Sequence, residues 1–137
     1  MTPIILLRIA AILAGIQGLA HGALFVSAKP RYGAAEVAVI EAMKANRFFA
    51  GGTRSYWDMY FGYGLEAAFV CLVEAALFWL VAATAAENRA LVQSVAGLFA
   101  IANVVHIVML VRYFAFPVPM VFDALIALGL VAAAVLA

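Results

Sequence analysis

The sequence contains 137 residues with a net charge of +1 at pH 7, and 69% of the residues are apolar while 11% are charged. A soluble domain is about half apolar and a quarter charged, so this composition excludes an ordinary soluble domain and predicts one integral membrane domain, residues 1–137. A near-neutral chain offers no basic face for nucleic acid. The single cysteine, Cys71, excludes an internal disulfide.

Four apolar segments are long enough to cross a bilayer, which takes about 20 helical residues. They cover residues 3–26, 60–83, 90–113 and 117–136. Two of them begin with proline, which suits a first helical turn because the amides there are unpaired in any case. Since the links after the second and third segments are short, the sequence predicts an all-α, up-down-up-down bundle of four transmembrane helices.

Small residues recur at four-residue spacing in the first and fourth segments. This spacing lets helix backbones approach closely in lipid, and we interpret it as packing within the bundle. The residues concerned are Ala14, Gly18, Gly22, Gly129 and Ala133.

The link over residues 27–59 has a pattern of its own. In AAEVAVIEAMKANRFF, apolar residues recur at helical spacing between charged ones, which predicts an amphipathic interfacial helix that Gly51 and Gly52 terminate. Lysine and arginine concentrate in this link. The positive-inside rule therefore predicts that the link is cytoplasmic and that both termini are outside.

The stretch GGTRSYWDMYFGYGLE leads from this link into the second segment. Arg54 and Asp58 are spaced to form an ion pair once the helix has started. Trp57 and the tyrosines beside it suit the membrane interface, where amphipathic rings are favoured. Glu66 then follows inside the apolar segment, where a carboxylate needs an explanation.

One ionisable residue in each segment lies at the same depth. His21, Glu66, His106 and Asp123 are roughly 7–11 Å from the segment ends nearest the link, at about 1.5 Å per residue. Burying such groups in hydrocarbon costs several kcal/mol, so they face the bundle interior and mark functional sites. We therefore predict a layer of two histidines and two carboxylates, serving either as a structural network or as a functional site.

Further polar residues accompany this layer. Gln17 and Asn103 lie about one helical turn deeper than the two histidines, and Glu74 lies two turns below Glu66 on a different face. We expect Glu66, His106, His21 and Asp123 to be catalytic. Substrate-binding roles are expected for a second group: Gln17, Tyr63, Asn103, Trp57 and Glu74.

Histidine and carboxylate side chains are the common donors and acceptors of protons in catalysis. The layer predicts a pocket, open to lipid, in which a lipophilic small molecule is isomerised or cyclised. A non-catalytic binding or structural subunit that forms homo-oligomers is the alternative. A second alternative is haem or a metal on His21 and His106, although no ligand-spacing motif is present and no cofactor is expected.

The run from Arg54 to Asp58 and the histidine late in the first segment resemble an uncharacterised family of small four-helix bacterial membrane proteins. That resemblance implies a bacterial inner-membrane location and no assigned chemistry. A more distant likeness is to the emopamil-binding family of sterol isomerases and the sigma-2 receptor, through the YWDMY of residues 56–60. The Gly-Asp-x-Arg-Tyr that follows in that family is replaced here by FGYGLE, so no residue role is transferred.

Overall fold

The computed structural model describes residues 2–27, 29–30, 33–49 and 52–137. Within these ranges the chain is helical, and an isolated bridge between Arg47 and Ser55 is its only β-pairing. A π-helical turn, Leu110–Phe114, directly follows the fourth helix. The helices are α1 (Pro3–Val26), α2 (Ala34–Ala45), α3 (Tyr56–Thr84), α4 (Arg89–Met109) and α5 (Pro117–Leu136).

Four of the helices are long and apolar enough to cross a membrane, which confirms the four predicted segments: α1, α3, α4 with its π-helical turn, and α5. α1 and α5 have the predicted bounds, whereas α3 begins earlier than expected, at Tyr56. Between 22% and 33% of the most apolar window of each helix is buried. Most residues of each window are therefore apolar and not buried, which is unusual for a protein surrounded by water.

The chain divides into two compact units. The first unit comprises residues 1–17 and 71–137, and the second unit comprises residues 18–70. α1 and α3 contribute residues to both units. The expectation of a single domain over residues 1–137 remains a prediction.

The first unit is a helical bundle with one hydrophobic core, to which α1, α3, α4 and α5 all contribute. Phe78 is completely buried, and its ring packs edge-to-face on Phe99 with 5.2 Å between centroids. Ala14 and Ala133 are buried in the same core. The small residues of the first unit thus pack within the bundle, as predicted.

Local sequence explains where the helices of the first unit begin. Asn88 caps α4, since its side-chain oxygen accepts a hydrogen bond from the amide of Leu91 at 3.0 Å. Pro117 stands in the first turn of α5, as predicted. Between these helices Ala115 adopts a left-handed conformation (φ 50°), and its amide closes the π-helical turn onto the carbonyl of Leu110 at 2.8 Å.

In the second unit α1 and α3 pack closely through two glycines. A Cβ at Gly22 would lie 3.4 Å from the Cβ of Ala68, at the limit of ordinary contact. A Cβ at Gly64 would overlap the ring of Phe25. The four-residue spacing of small residues predicted close packing at Gly22 but not at Gly64.

The amphipathic helix predicted in the link is present as α2, but it ends earlier than predicted. It stops at Ala45, because the side chain of Asn46 donates a hydrogen bond to the carbonyl of Ala42 at 2.7 Å and Asn46 itself is extended. The prediction that Gly51 and Gly52 end this helix was therefore wrong. Gly51 lies outside the described residues.

Candidate functional site

His106 and Asp123 form a pair within the first unit. His106 lies near the end of α4 and Asp123 lies in the second turn of α5, and these two helices pack against each other. The Nδ1 atom of His106 is 2.8 Å from Oδ2 of Asp123. The side chain of Asp123 is only 3% exposed, whereas that of His106 is 49% exposed. A ligand could therefore reach the imidazole but not the carboxylate.

The two side chains are within hydrogen-bonding distance of each other. Oδ2 of Asp123 is buried and receives no hydrogen bond of good geometry from the described residues. A buried carboxylate oxygen left in this state costs free energy. Catalytic hydrogen bonds are often poorly aligned before a ligand binds and tighten when it does.

Gln17 holds the other oxygen of the same carboxylate. Its Nε2 donates a hydrogen bond to Oδ1 of Asp123 at 3.1 Å, although the two residues are 106 positions apart in sequence. Both oxygens of Asp123 thus face a polar group, one from α1 and one from α4. This arrangement fixes the carboxylate and leaves the half-exposed imidazole as the accessible member of the pair.

Glu74 and Cys71 lie close to this pair on α3. Glu74 interacts electrostatically with both Asp123 and His106. Cys71 lies within the electrostatic range of Glu74 and Asp123. Both side chains are partly buried. We name Gln17, Glu74, His106 and Asp123 the polar cluster.

The side chain of Asn103 is bonded within its own helix. It is buried on α4, one turn before His106, but its Nδ2 donates to the carbonyl of Phe99 in its own helix at 2.8 Å. The substrate-binding role expected for Asn103 stays a prediction. The amide of an asparagine inside an apolar helix can donate to a carbonyl of the preceding turn. Sequence spacing alone does not distinguish this bond from one to a neighbouring helix.

The other predicted site residues belong to the second unit. The ring of His21 packs on Phe25 with 4.9 Å between centroids. Glu66 is exposed, and Tyr63 is 63% exposed. Trp57 packs on Tyr60 and Phe61. The layer of four ionisable groups stays a prediction. Two of its members, His106 and Asp123, are in contact.

The polar residues of RSYWD start a helix. The side chain of Ser55 accepts a hydrogen bond from the amide of Asp58 at 3.1 Å, and Oδ2 of Asp58 accepts one from the amide of Ser55 at 2.8 Å. These reciprocal bonds form a capping box at the start of α3. The predicted ion pair between Arg54 and Asp58 does not form, because Asp58 turns toward Ser55. Serine followed three residues later by an acid, before an apolar run, was the missed signal.

Among the described residues no group of three or more histidine, cysteine, aspartate or glutamate side chains could hold a metal ion. No protein-family model, curated protein or solved structure matches the chain. Both resemblances inferred from the sequence therefore stay predictions.

Proposed function

We propose that this protein spans a membrane and binds a lipophilic small molecule beside His106, where the imidazole transfers a proton during an isomerisation or cyclisation. The observation that carries the proposal is the pairing of a half-exposed imidazole with a buried carboxylate, 2.8 Å apart, on two helices that are apolar on their outer surfaces.

Membrane insertion is supported by the surface of the helices. On α4 the exposed residues beside His106 are apolar, and these include Ala102, Val105 and Met109. A face of this kind is stable in hydrocarbon and unfavourable in water. A molecule that reaches His106 across it must be lipophilic. We extend the proposal to a bacterial inner membrane, with the 27–59 link in the cytoplasm.

The chemistry needs no group that the chain lacks. A neutral imidazole takes a proton from a carbon or oxygen of the bound molecule, and the imidazolium returns a proton to a second position, so the molecule changes its bonding while its atoms and electrons are conserved. General acid–base catalysis of this type contributes about 10²–10⁴-fold to a rate.

Asp123 and Gln17 act as positioning residues in this proposal. A buried carboxylate beside Nδ1 selects the tautomer with its proton there and stabilises the imidazolium when it forms. The bond from Gln17 keeps Oδ1 occupied, which leaves Oδ2 for the imidazole. Glu74 lies near the same charges and is a candidate second carboxylate in the reaction.

The test uses the small molecules that co-purify with the full-length protein in detergent. We expect mass spectrometry to identify a lipophilic molecule that wild-type protein retains. Wild-type protein in deuterated buffer should place deuterium on a carbon of that molecule, and His106→Ala and Asp123→Asn should slow this exchange by about 10²–10⁴-fold.

The matched control is Glu87→Gln, which also removes one carboxylate but lies in the turn between α3 and α4. Exchange should be unchanged in this variant. Circular dichroism checks that each protein is folded. Exchange at the wild-type rate in folded His106→Ala, or retention of no molecule by the wild type, would refute the proposal.

A structural role for the polar cluster is the competing explanation, because its bonds join α1, α4 and α5. An interhelical hydrogen bond in a membrane contributes about 0.6 kcal/mol and at most about 2 kcal/mol. If the role is structural, His106→Ala and Asp123→Asn should lower the free energy of unfolding modestly and leave the rate of deuterium exchange unchanged. This outcome would favour the non-catalytic, oligomer-forming subunit.

The haem or metal alternative predicts a different observation. We expect the purified protein to be colourless, with less than about 0.1 transition-metal ion per chain, because no ligand-spacing motif accompanies His21 and His106. A Soret band, or about one iron or zinc per chain, that is lost in His106→Ala would establish this alternative instead.

A further inference from the structure

The second unit contains a groove that the polar cluster does not explain. It has a volume of about 440 Å³ and lies between the loop after α2 and the first turns of α3. Four aromatic side chains and two charged ones line most of it: Phe48, Phe49, Trp57, Phe61, Arg54 and Asp58. A volume of this size falls within the range of small-molecule sites, about 300–1,000 Å³.

Backbone bonds hold the loop beside this groove in place. The amide of Phe48 donates to the carbonyl of Arg54 at 3.0 Å, and the amide of Tyr56 donates to the carbonyl of Asn46 at 3.1 Å. The guanidinium of Arg47 also donates to the carbonyl of Thr53 at 2.6 Å. Two ends of the loop are thereby tied together, which positions the groove before any ligand arrives.

Arg54 is the cation available in the groove. The guanidinium of Arg47 already donates to the carbonyl of Thr53. The ammonium of Lys44 forms an ion pair with Glu41 at 2.9 Å and lies over the ring of Trp57. Within the described ranges the guanidinium of Arg54 makes no hydrogen bond and no ion pair. Arg54 is exposed, so the five donors of its guanidinium are open to an acceptor from outside the chain.

Asp58 does not neutralise this cation completely. Its Oδ2 already accepts hydrogen bonds from the amide and the hydroxyl of Ser55, at 2.8 and 3.0 Å. The charges of both Arg54 and Arg47 act on this carboxylate, and no ion pair among the described residues joins it to Arg54.

We propose that this groove binds the phosphate of an anionic phospholipid, with the phosphate on Arg54 and the first part of an acyl chain across the aromatic rings. Arginine matches phosphate oxygens with paired, charge-assisted hydrogen bonds. Aromatic side chains are favoured at the depth of lipid headgroups. Basic residues near a membrane surface attract anionic lipids by about 1 kcal/mol each.

The loop that carries Arg54 also leads into α3, a helix long and apolar enough to span the membrane. The groove is therefore beside the point where the chain would enter the bilayer, which is the depth of a phosphate group. This inference depends on the proposed membrane insertion of α3, but not on proton transfer by His106.

The test uses Trp57 as the reporter. The chain has two tryptophans, so Trp79→Phe leaves Trp57 as the only one. The full-length protein in an uncharged detergent is titrated with short-chain phosphatidylglycerol and, separately, with short-chain phosphatidylcholine. We expect the emission of Trp57 to respond at an about tenfold lower concentration of phosphatidylglycerol, since one charge-assisted pair is involved.

Variants of Arg54 identify the cause of that preference. Arg54→Gln should abolish the tenfold difference, and Arg54→Lys should retain part of it. Lys29→Gln is the matched control, because it removes the same charge from the link at a residue that does not line the groove; it should leave the preference intact. Circular dichroism establishes that each variant is folded.

Three results would overturn the proposal. Equal responses to both lipids would remove the role of the anionic headgroup. Equal effects of Arg54→Gln and Lys29→Gln would indicate a general attraction of the charged link. Competition by inorganic phosphate at the same concentration as phosphatidylglycerol would indicate a site for the free anion instead of the lipid.

Discussion

At the scale of single residues, Gly64 sets the distance between α1 and α3 in the second unit. A Cβ at this position would overlap three atoms of the Phe25 ring. Phe25 also packs on His21 and Tyr60, with centroids 4.9 and 5.4 Å away. A larger residue at position 64 would therefore displace the ring on which His21 packs.

We expect Gly64→Ala to destabilise the protein by about 1–3 kcal/mol, the usual cost of inserting a methyl group into a packed site. Gly62→Ala is the matched control, because a Cβ there meets nothing within 4 Å and alanine favours a helix by about 0.5–1 kcal/mol over glycine. Thermal unfolding in detergent gives both values.

A second variant tests the stated cause. Phe25→Leu should recover part of the stability lost in Gly64→Ala, since contacting residues have non-additive effects. Equal melting temperatures for Gly64→Ala and Gly62→Ala would show that the ring moves at no cost.

The residues of the polar cluster were partly predictable. Counting residues from the segment ends put His106 and Asp123 at one depth, and these two side chains are in contact. The bond of Gln17 to Asp123 was not predictable, because the rotation and crossing angle of the helices decide which polar side chain meets the carboxylate. Glu74 could not be placed for the same reason: its face on α3 is not fixed by its depth.

At the scale of the helix, α3 begins with the capping box of Ser55 and Asp58. The first four amides of a helix have no partner within it, and the box supplies acceptors at the end where α3 follows an irregular loop. This end carries Trp57 and lies beside the groove. The capping box thus holds the aromatic side chains in position as well as starting the helix.

We expect Ser55→Ala to lower the stability by about 1 kcal/mol, the usual effect of losing a serine cap. The emission of Trp57, measured in the Trp79→Phe background, should shift to longer wavelength as the first turn frays. Ser94→Ala is the control, because Ser94 is exposed within α4, where alanine is the better helix former. Identical unfolding of the two variants would exclude a stabilising role for the box.

At the scale of the whole molecule, the four apolar helices were predictable to within a few residues. Length and apolar composition are imposed by the thickness of a bilayer, so both can be read without knowledge of packing. The early end of α2 and the division into two units were not predictable. The first depends on one side-chain bond of Asn46, and the second depends on contacts between residues far apart in sequence.

The topology can be tested with cysteines placed on both sides. After Cys71→Ala, single cysteines at Ala34 and Glu87 are exposed to a membrane-impermeant thiol reagent in intact cells. The charge of the 27–59 link predicts that position 87 is labelled and position 34 is protected. Labelling after lysis controls for reactivity at both positions. Labelling of position 34 alone in intact cells would reverse the orientation.

The bond between Gln17 and Asp123 has a consequence for the order of events during synthesis. The 106 positions between these residues mean that α1 is made first and must wait until α5 has emerged from the ribosome before its glutamine can find the carboxylate. His106 waits for the same residue. At about 5–20 residues per second, this delay is about 5–20 s for Gln17 and about 1–3 s for His106, which lies much closer to Asp123 in sequence. During the longer period the unfinished chain presents an unmatched glutamine side chain to the insertion machinery or neighbouring protein that holds it.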